Sequence, residues 1–102
     1  MNRLTYDPYA KGRYYRAFVE SDGVAKLTEK DIEGMDLVDD SIAMPAGFHV
    51  VDYIIDFNAL AGSAPVDFWK GITILADGRQ AVHIPEGTAY DYAHVFIFGY
   101  FD

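Results

Sequence analysis

Three histidines, His49, His83 and His94, and sixteen acidic side chains are the residues of this 102-residue chain best suited to chemistry. Imidazoles brought together from separate strands could hold a divalent metal or exchange protons. The model for such a site is the double-stranded β-helix metal centre of cupins, which carries a His-x-His pair, a downstream Glu and a further His after a Pro-x-Gly turn. The chain has no His-x-His, and Pro85-Glu86-Gly87 runs into Thr88-Ala89-Tyr90 with no His nearby. Places on a contact surface or at strand ends suit these histidines better than metal ligation.

The other constellations are equally thin. Asp52 and Asp56 share a face if they lie on a strand, but about 13 Å apart, too far for the paired carboxylates of a glycosidase. Asp39 and Asp40 are adjacent, and with Asp36 they could help hold calcium, yet no Asp-x-Asp-x-Asp-Gly loop surrounds them. Ser21, Ser41 and Ser63 are the only serines, and none sits in Gly-x-Ser-x-Gly. No Gly-x-Gly-x-x-Gly or phosphate-binding loop occurs. There is no cysteine, which removes disulfides, zinc–thiolate sites and thiol nucleophiles. No catalytic, cofactor-binding or metal-ligating residue is assigned, and a non-enzymatic protein is expected.

The aromatic content carries more signal. Eight Tyr and seven Phe, in a chain that is 51% hydrophobic, favour pleated, half-buried strands. Phe57, Phe68, Trp69, Tyr90, Tyr92, Phe96, Phe98, Tyr100 and Phe101 are more than one small core should absorb. The surplus points to a surface covered by another molecule. The net charge of −8 is unevenly placed. Residues 1–16 set Arg3, Lys11, Arg13 and Arg16 against Asp7, whereas residues 31–102 set twelve acids against Lys70 and Arg79. So acidic a body argues against nucleic-acid binding, which needs clustered cations. No long apolar stretch or signal-peptide core is present, so a soluble protein made in the cytoplasm, with no membrane partner, is expected.

These side chains need strands to position them. Residues 1–13 read as an extended N-terminal arm and residues 14–102 as a single β domain. Tyr14–Glu20 has strand character and ends at Ser21-Asp22-Gly23, with Val24–Leu27 as a short hairpin partner. Thr28 offers the one helix N-cap, with Asp31 three residues on, although Gly34 limits that helix to about a turn. Met35–Ser41 is acidic and loop-like, with Leu37 and Val38 able to support a brief strand. After Pro45-Ala46-Gly47, the run Phe48–Phe57 alternates, with Val51, Tyr53, Ile55 and Phe57 on one side and Asp52 and Asp56 on the other. Ala61–Pro65 is a loop, Val66–Leu75 one strand with room for a bulge at Gly71, and Gln80–Ile84 another strand. Ala93–Phe101 is apolar on both faces and must be central or covered on both sides. The whole predicts a small antiparallel β-sandwich or jelly-roll-like barrel.

From Ile42 to Phe101 the chain resembles small accessory proteins of tailed-bacteriophage heads, of the decoration, cement or head-fibre-base type. The residues that carry the likeness are Met44-Pro45-Ala46-Gly47-Phe48-His49-Val50-Val51-Asp52, Ala61-Gly62-Ser63-Ala64-Pro65-Val66 and Ile84-Pro85-Glu86-Gly87-Thr88-Ala89. The resemblance implies a structural protein of the virion that binds the major capsid protein, self-associates, with a trimer favoured, and stabilises the shell without a cofactor. Under that reading Arg3, Tyr6, Tyr9, Arg13, Trp69, Tyr90, Tyr92, Phe98, Tyr100 and Phe101 are the expected interface residues. Two other functions fit the composition: an acidic inhibitor that mimics nucleic-acid charge, and a carbohydrate-binding module with Trp69 or a Tyr as its platform.

Overall fold

A computed structural model describes residues 12–59 and 70–102. They form two four-stranded antiparallel sheets stacked as a β-sandwich. The first sheet contains β1 (Arg13–Ser21), β2 (Ala25–Lys30), β5 (Phe48–Ala59) and β8 (Tyr90–Phe101), in the order β2-β1-β8-β5. The second contains β3 (Asp36–Val38), β4 (Ser41–Ala43), β6 (Ile72–Ile74) and β7 (Gln80–His83), in the order β3-β4-β7-β6. No α-helix occurs among the described residues, and none there is long and apolar enough to cross a membrane. The all-β expectation holds. Residues 1–11 of the expected arm, the loop at residues 61–65 and the first part of the expected 66–75 strand lie outside the described residues, whereas Arg13, expected at the end of the arm, already pairs with Gly99 as the first residue of β1.

The core lies between the sheets. Ala17 and Val19 of β1, Tyr53 of β5 and Ala93, Val95 and Ile97 of β8 meet Ile42 of β4 and Val82 of β7, with Met35, Met44 and Ile84 filling the gaps. Each fully buried aliphatic side chain of this kind contributes about 1.5–3 kcal/mol.

On β5 the expected alternation needs one correction. Tyr53, Ile55 and Phe57 do pack on the core, but so do Phe48 and Val50, which have the opposite parity. A bulge resolves the conflict. Val50 pairs with Gly99 and Asp52 with Phe98, leaving Val51 as an extra residue. Two residues then oppose one, and the side-chain sequence shifts by one place. Val51 is therefore the hinge of the alternation and not a member of the inward row.

Thr28 belongs to β2 and caps no helix. Phe18 pairs with Glu29 and Val19 with Leu27, so Thr28 sits at a second irregularity, where its hydroxyl donates to the Phe18 carbonyl at 3.2 Å. Ala25 and Leu27 pack on the core. That burial outweighs one weak helix start.

The sheets are tied by the Tyr53 hydroxyl. It accepts from Gly71 N at 2.8 Å and has the carbonyls of His83 and Gly71 within donating reach at 2.9 and 3.1 Å. Gly71 also accepts from His83 N at 3.0 Å. These bonds hold Gly71 just before β6, and of the strand expected over residues 66–75 the described part contains Ile72–Ile74.

This packing sets two expectations for stability. A Cβ at Gly99 would run into the His49 carbonyl and the Phe48 ring, so Gly99→Ala should lower stability in urea unfolding by about 2–4 kcal/mol. The Tyr53 phenol is held above its ordinary pKa, mainly by burial. The stability linked to it is present below pH ~10 and lost as pH rises through the raised value. Tyr53→Phe should cost about 1–3 kcal/mol at neutral pH and flatten part of the alkaline loss. Tyr90, whose phenol burial also raises, contributes to the slope that remains.

Candidate binding face

The feature that stands out is the outer side of the β2-β1-β8-β5 sheet, the side turned away from the core. Inward residues of β8 alternate with Tyr92, His94, Phe96, Phe98 and Tyr100, which therefore point outward. On β1 the outward row is Tyr14, Arg16, Phe18 and Glu20, and beyond the β5 bulge it is Asp52, Ile54 and Asp56. Antiparallel pairing sets these rows in register. Tyr14, Phe98 and Asp52 share one level, Arg16, Phe96 and Ile54 the next, and Phe18, His94 and Asp56 the third.

The rings touch across and along the strands. Tyr14 meets Phe98 at 5.1 Å between centroids, Phe18 meets His94 at 5.7 Å and Tyr92 at 5.9 Å, and His94 meets Phe96 at 4.4 Å. His49 stacks on Tyr100 at 5.2 Å. Cross-strand aromatic pairs of this kind stabilise a sheet, yet much of their area stays in solvent. Tyr14 is 55%, Ile54 52% and Tyr92 46% exposed. The strip is continuous over neighbouring strands, as partner surfaces are.

Charge frames the face. Arg16 donates its backbone N–H to Asp31 Oδ2 at 2.8 Å, and its Nε lies 3.5 Å from the same oxygen. Around that pair a shallow groove runs between Phe18, Thr28, Glu29, Lys30 and His94. On the far side Lys70 binds Asp52 at 2.6 Å, and this contact leads the causes that hold the Asp52 carboxyl below its ordinary pKa. Asp56, level with His94, has no ion-pair partner among the described residues.

The expected interface residues divide. Tyr92, Phe98 and Tyr100 lie together on the outer face. Tyr90 does not. It is 1% exposed and packs near Phe57 at 6.1 Å, and its buried hydroxyl has no hydrogen-bond partner among the described residues. Tyr90 thus belongs to the core, where Phe57 also packs, so the surplus of rings is smaller than the composition suggests. Phe101 is exposed but turned the other way, edge-on to Phe48 at 5.2 Å. Arg13 opens β1 with its guanidinium 4.6 Å from the Tyr15 ring, and Tyr15 packs on the core. Arg3, Tyr6, Tyr9 and Trp69 lie outside the described residues.

His94, expected on a contact surface or at a strand end, and Phe96, one of the surplus rings, complete the face together with Tyr14, Arg16, Phe18, Ile54 and Asp56, which were not among the expected contact residues. The signal was present in the outward parity of β1 once Ala17 and Val19 are read as core.

The histidines are dispersed. His49 and His94 lie on the first sheet and His83 on the second. His49 Nε2 is 2.8 Å from Asp102 Oδ2 without the alignment of a hydrogen bond. Asp36, weighed for calcium, is engaged by Arg79 at 3.1 Å. Among the described residues no three His, Asp or Glu side chains group as a metal site. No family model, no curated protein and no solved structure matches the chain.

The opposite burial of two tyrosines near the start of β8 can be tested directly. Tyr90→Ser should destabilise the fold by about 3–5 kcal/mol in urea unfolding, whereas Tyr92→Ser should change it by no more than about 1 kcal/mol.

Proposed function

We propose that this chain is a non-enzymatic contact protein that works by covering and joining other protein surfaces, as a decoration or cement protein on the head of a tailed bacteriophage. The observation that carries the reading is the continuous aromatic strip on the outside of the first sheet, centred on Phe96 and flanked by Tyr14, Phe18 and Ile54. Rings pre-positioned on a sheet lose little conformational freedom on binding, so much of their burial is available as affinity. The phage assignment draws on the turn-and-strand resemblance over residues 42–101, and the strip supplies a surface for such a role. Its partner is then the major capsid protein, and its place is the virion, reached after synthesis in the host cytoplasm.

On this reading, stabilisation comes from repetition. Each copy that spans a junction between shell subunits buries apolar area at about 25 cal/mol per Å², and it binds the closed junction in preference to the open one. Mass spectrometry of purified particles from the source should find the chain in fixed proportion to the major shell protein. Purified Tyr92→Ser protein should bind stripped particles at least tenfold more weakly in co-sedimentation. Particles that lack the chain and do not bind it when it is added back would overturn the reading.

A further inference from the structure

We propose that the outer face of the β2-β1-β8-β5 sheet also receives a second copy of this chain, the two copies stacking face to face about a two-fold axis that runs along β8. The inference rests on the contact-protein reading and names one partner for that same strip.

The strand register makes the face self-complementary. A two-fold axis lying in the interface parallel to β8 returns β8 onto β8 and carries each β1 over the β5 of the partner subunit. Arg16 shares its level with Phe96 and Ile54. It then faces Ile54 of the partner subunit, with Asp52 and Asp56 of the partner subunit one step to either side. Because this level sits in the middle of the face, a tilt of the axis away from β8, by half of the roughly 30° at which stacked sheets cross, displaces it least.

The charges match under that operation. Arg16 is the cation of the β1 row, and its contact with Asp31 is solvent-exposed at 3.5 Å, so little is lost if it turns outward. Asp56 has no ion-pair partner among the described residues. Each copy thus offers one exchangeable cation and one open carboxylate, on opposite flanks of an aromatic strip. Stacking aligns them twice, once on each side of the axis. It also covers Ile54, which is 52% exposed.

Area sets the strength. Three strands about 4.8 Å apart, followed from Tyr100 to Tyr92 at about 3.4 Å per residue, give roughly 400–500 Å² per copy. Both copies together come to roughly 800–1,000 Å², at or just below the lower bound for a specific interface. The dimer is therefore weak and exchanges with monomer at micromolar concentrations or above.

Sedimentation velocity of the full chain over a range from about ten micromolar to about one millimolar tests this. The wild type should pass from monomer to dimer. Arg16→Asp and Asp56→Arg should each weaken dimerisation at least tenfold, because each sets like charges against one another twice. An equimolar mixture of the two variants should dimerise again. In the mixed dimer the two substituted side chains meet with opposite charge on one side of the axis, and the unchanged Asp56 of one variant meets the unchanged Arg16 of the other on the opposite side. Both positions are exposed, so the variants keep the fold, which circular dichroism checks. A wild type that stays monomeric throughout, or a dimer indifferent to both substitutions, overturns the inference. So does a mixture that remains monomeric. Dimerisation seen only after residues 1–11 are removed would make the chain's own N-terminal segment the occupant and overturn the second copy. None of these outcomes depends on particle binding, so a monomer that still co-sediments with particles defeats this inference alone.

Discussion

A β-strand that is apolar on both faces makes a demand that a two-layer sandwich meets on only one side. β8 is such a strand. Its inward row of Ala93, Val95 and Ile97 is sealed by the second sheet, and its outward row of Tyr92, His94, Phe96, Phe98 and Tyr100 has no third layer above it among the described residues. The neighbours soften that demand. β1 and β5 flank β8, and β1 leans Tyr14 and Phe18 against its rings. The resulting half-burial leaves a surface ordered by pairing and incompletely covered, and the proposed functions are consequences of it.

The rest of the sheet can be understood as what keeps that surface in place. Gly99 lets the Phe48 ring and the His49 backbone approach β8 closely. The extra residue Val51 turns Phe48 and Val50 inward while keeping Tyr53 inward beyond it. Without that shift, either the Phe48 end or the Tyr53 end of β5 would face water. Tyr53 in turn reaches across to Gly71 and His83. One inserted residue thus permits both the outward row of Asp52, Ile54 and Asp56 and the hydrogen bonds that fasten the second sheet.

Strand periodicity made most of this legible in advance. Tyr14–Glu20, Phe48–Phe57 and Ala93–Phe101 were readable because period-two patterns and Gly or Pro turns mark them directly. Thr28 misled because its local cap chemistry competes with a hydrogen bond to Phe18 that only pairing creates. Val51 misled because a bulge is invisible to a rule that assumes strict alternation. The binding face was half legible. The two-sidedness of β8 announced that something must lie on each side, but Tyr90 and Tyr92 are indistinguishable by composition. Which of them faces the core depends on where pairing with β5 ends, near Ala59.

Flat aromatic sheets with long edge strands are prone to indiscriminate association, and the molecule is built against that. β5 forms an edge of the first sheet, yet its Val50 N–H is taken by Gln80 Oε1 at 2.6 Å and its Tyr53 N–H by Asp52 Oδ1 at 2.8 Å. The Lys70–Asp52 pair stands beside them, and the bulge disturbs the ladder at the same place. An incoming strand would have to break these bonds before making its own. A net charge of −8 adds general repulsion between copies. Lateral growth is therefore opposed where the backbone is exposed, while the outer face carries Arg16 as a positive point among its acids. A partner that presents a carboxylate at the right level relieves the repulsion locally, and one that presents only an apolar surface does not. Rings on the open face supply attraction without direction, and the charges and the blocked edge together select which surfaces can use it.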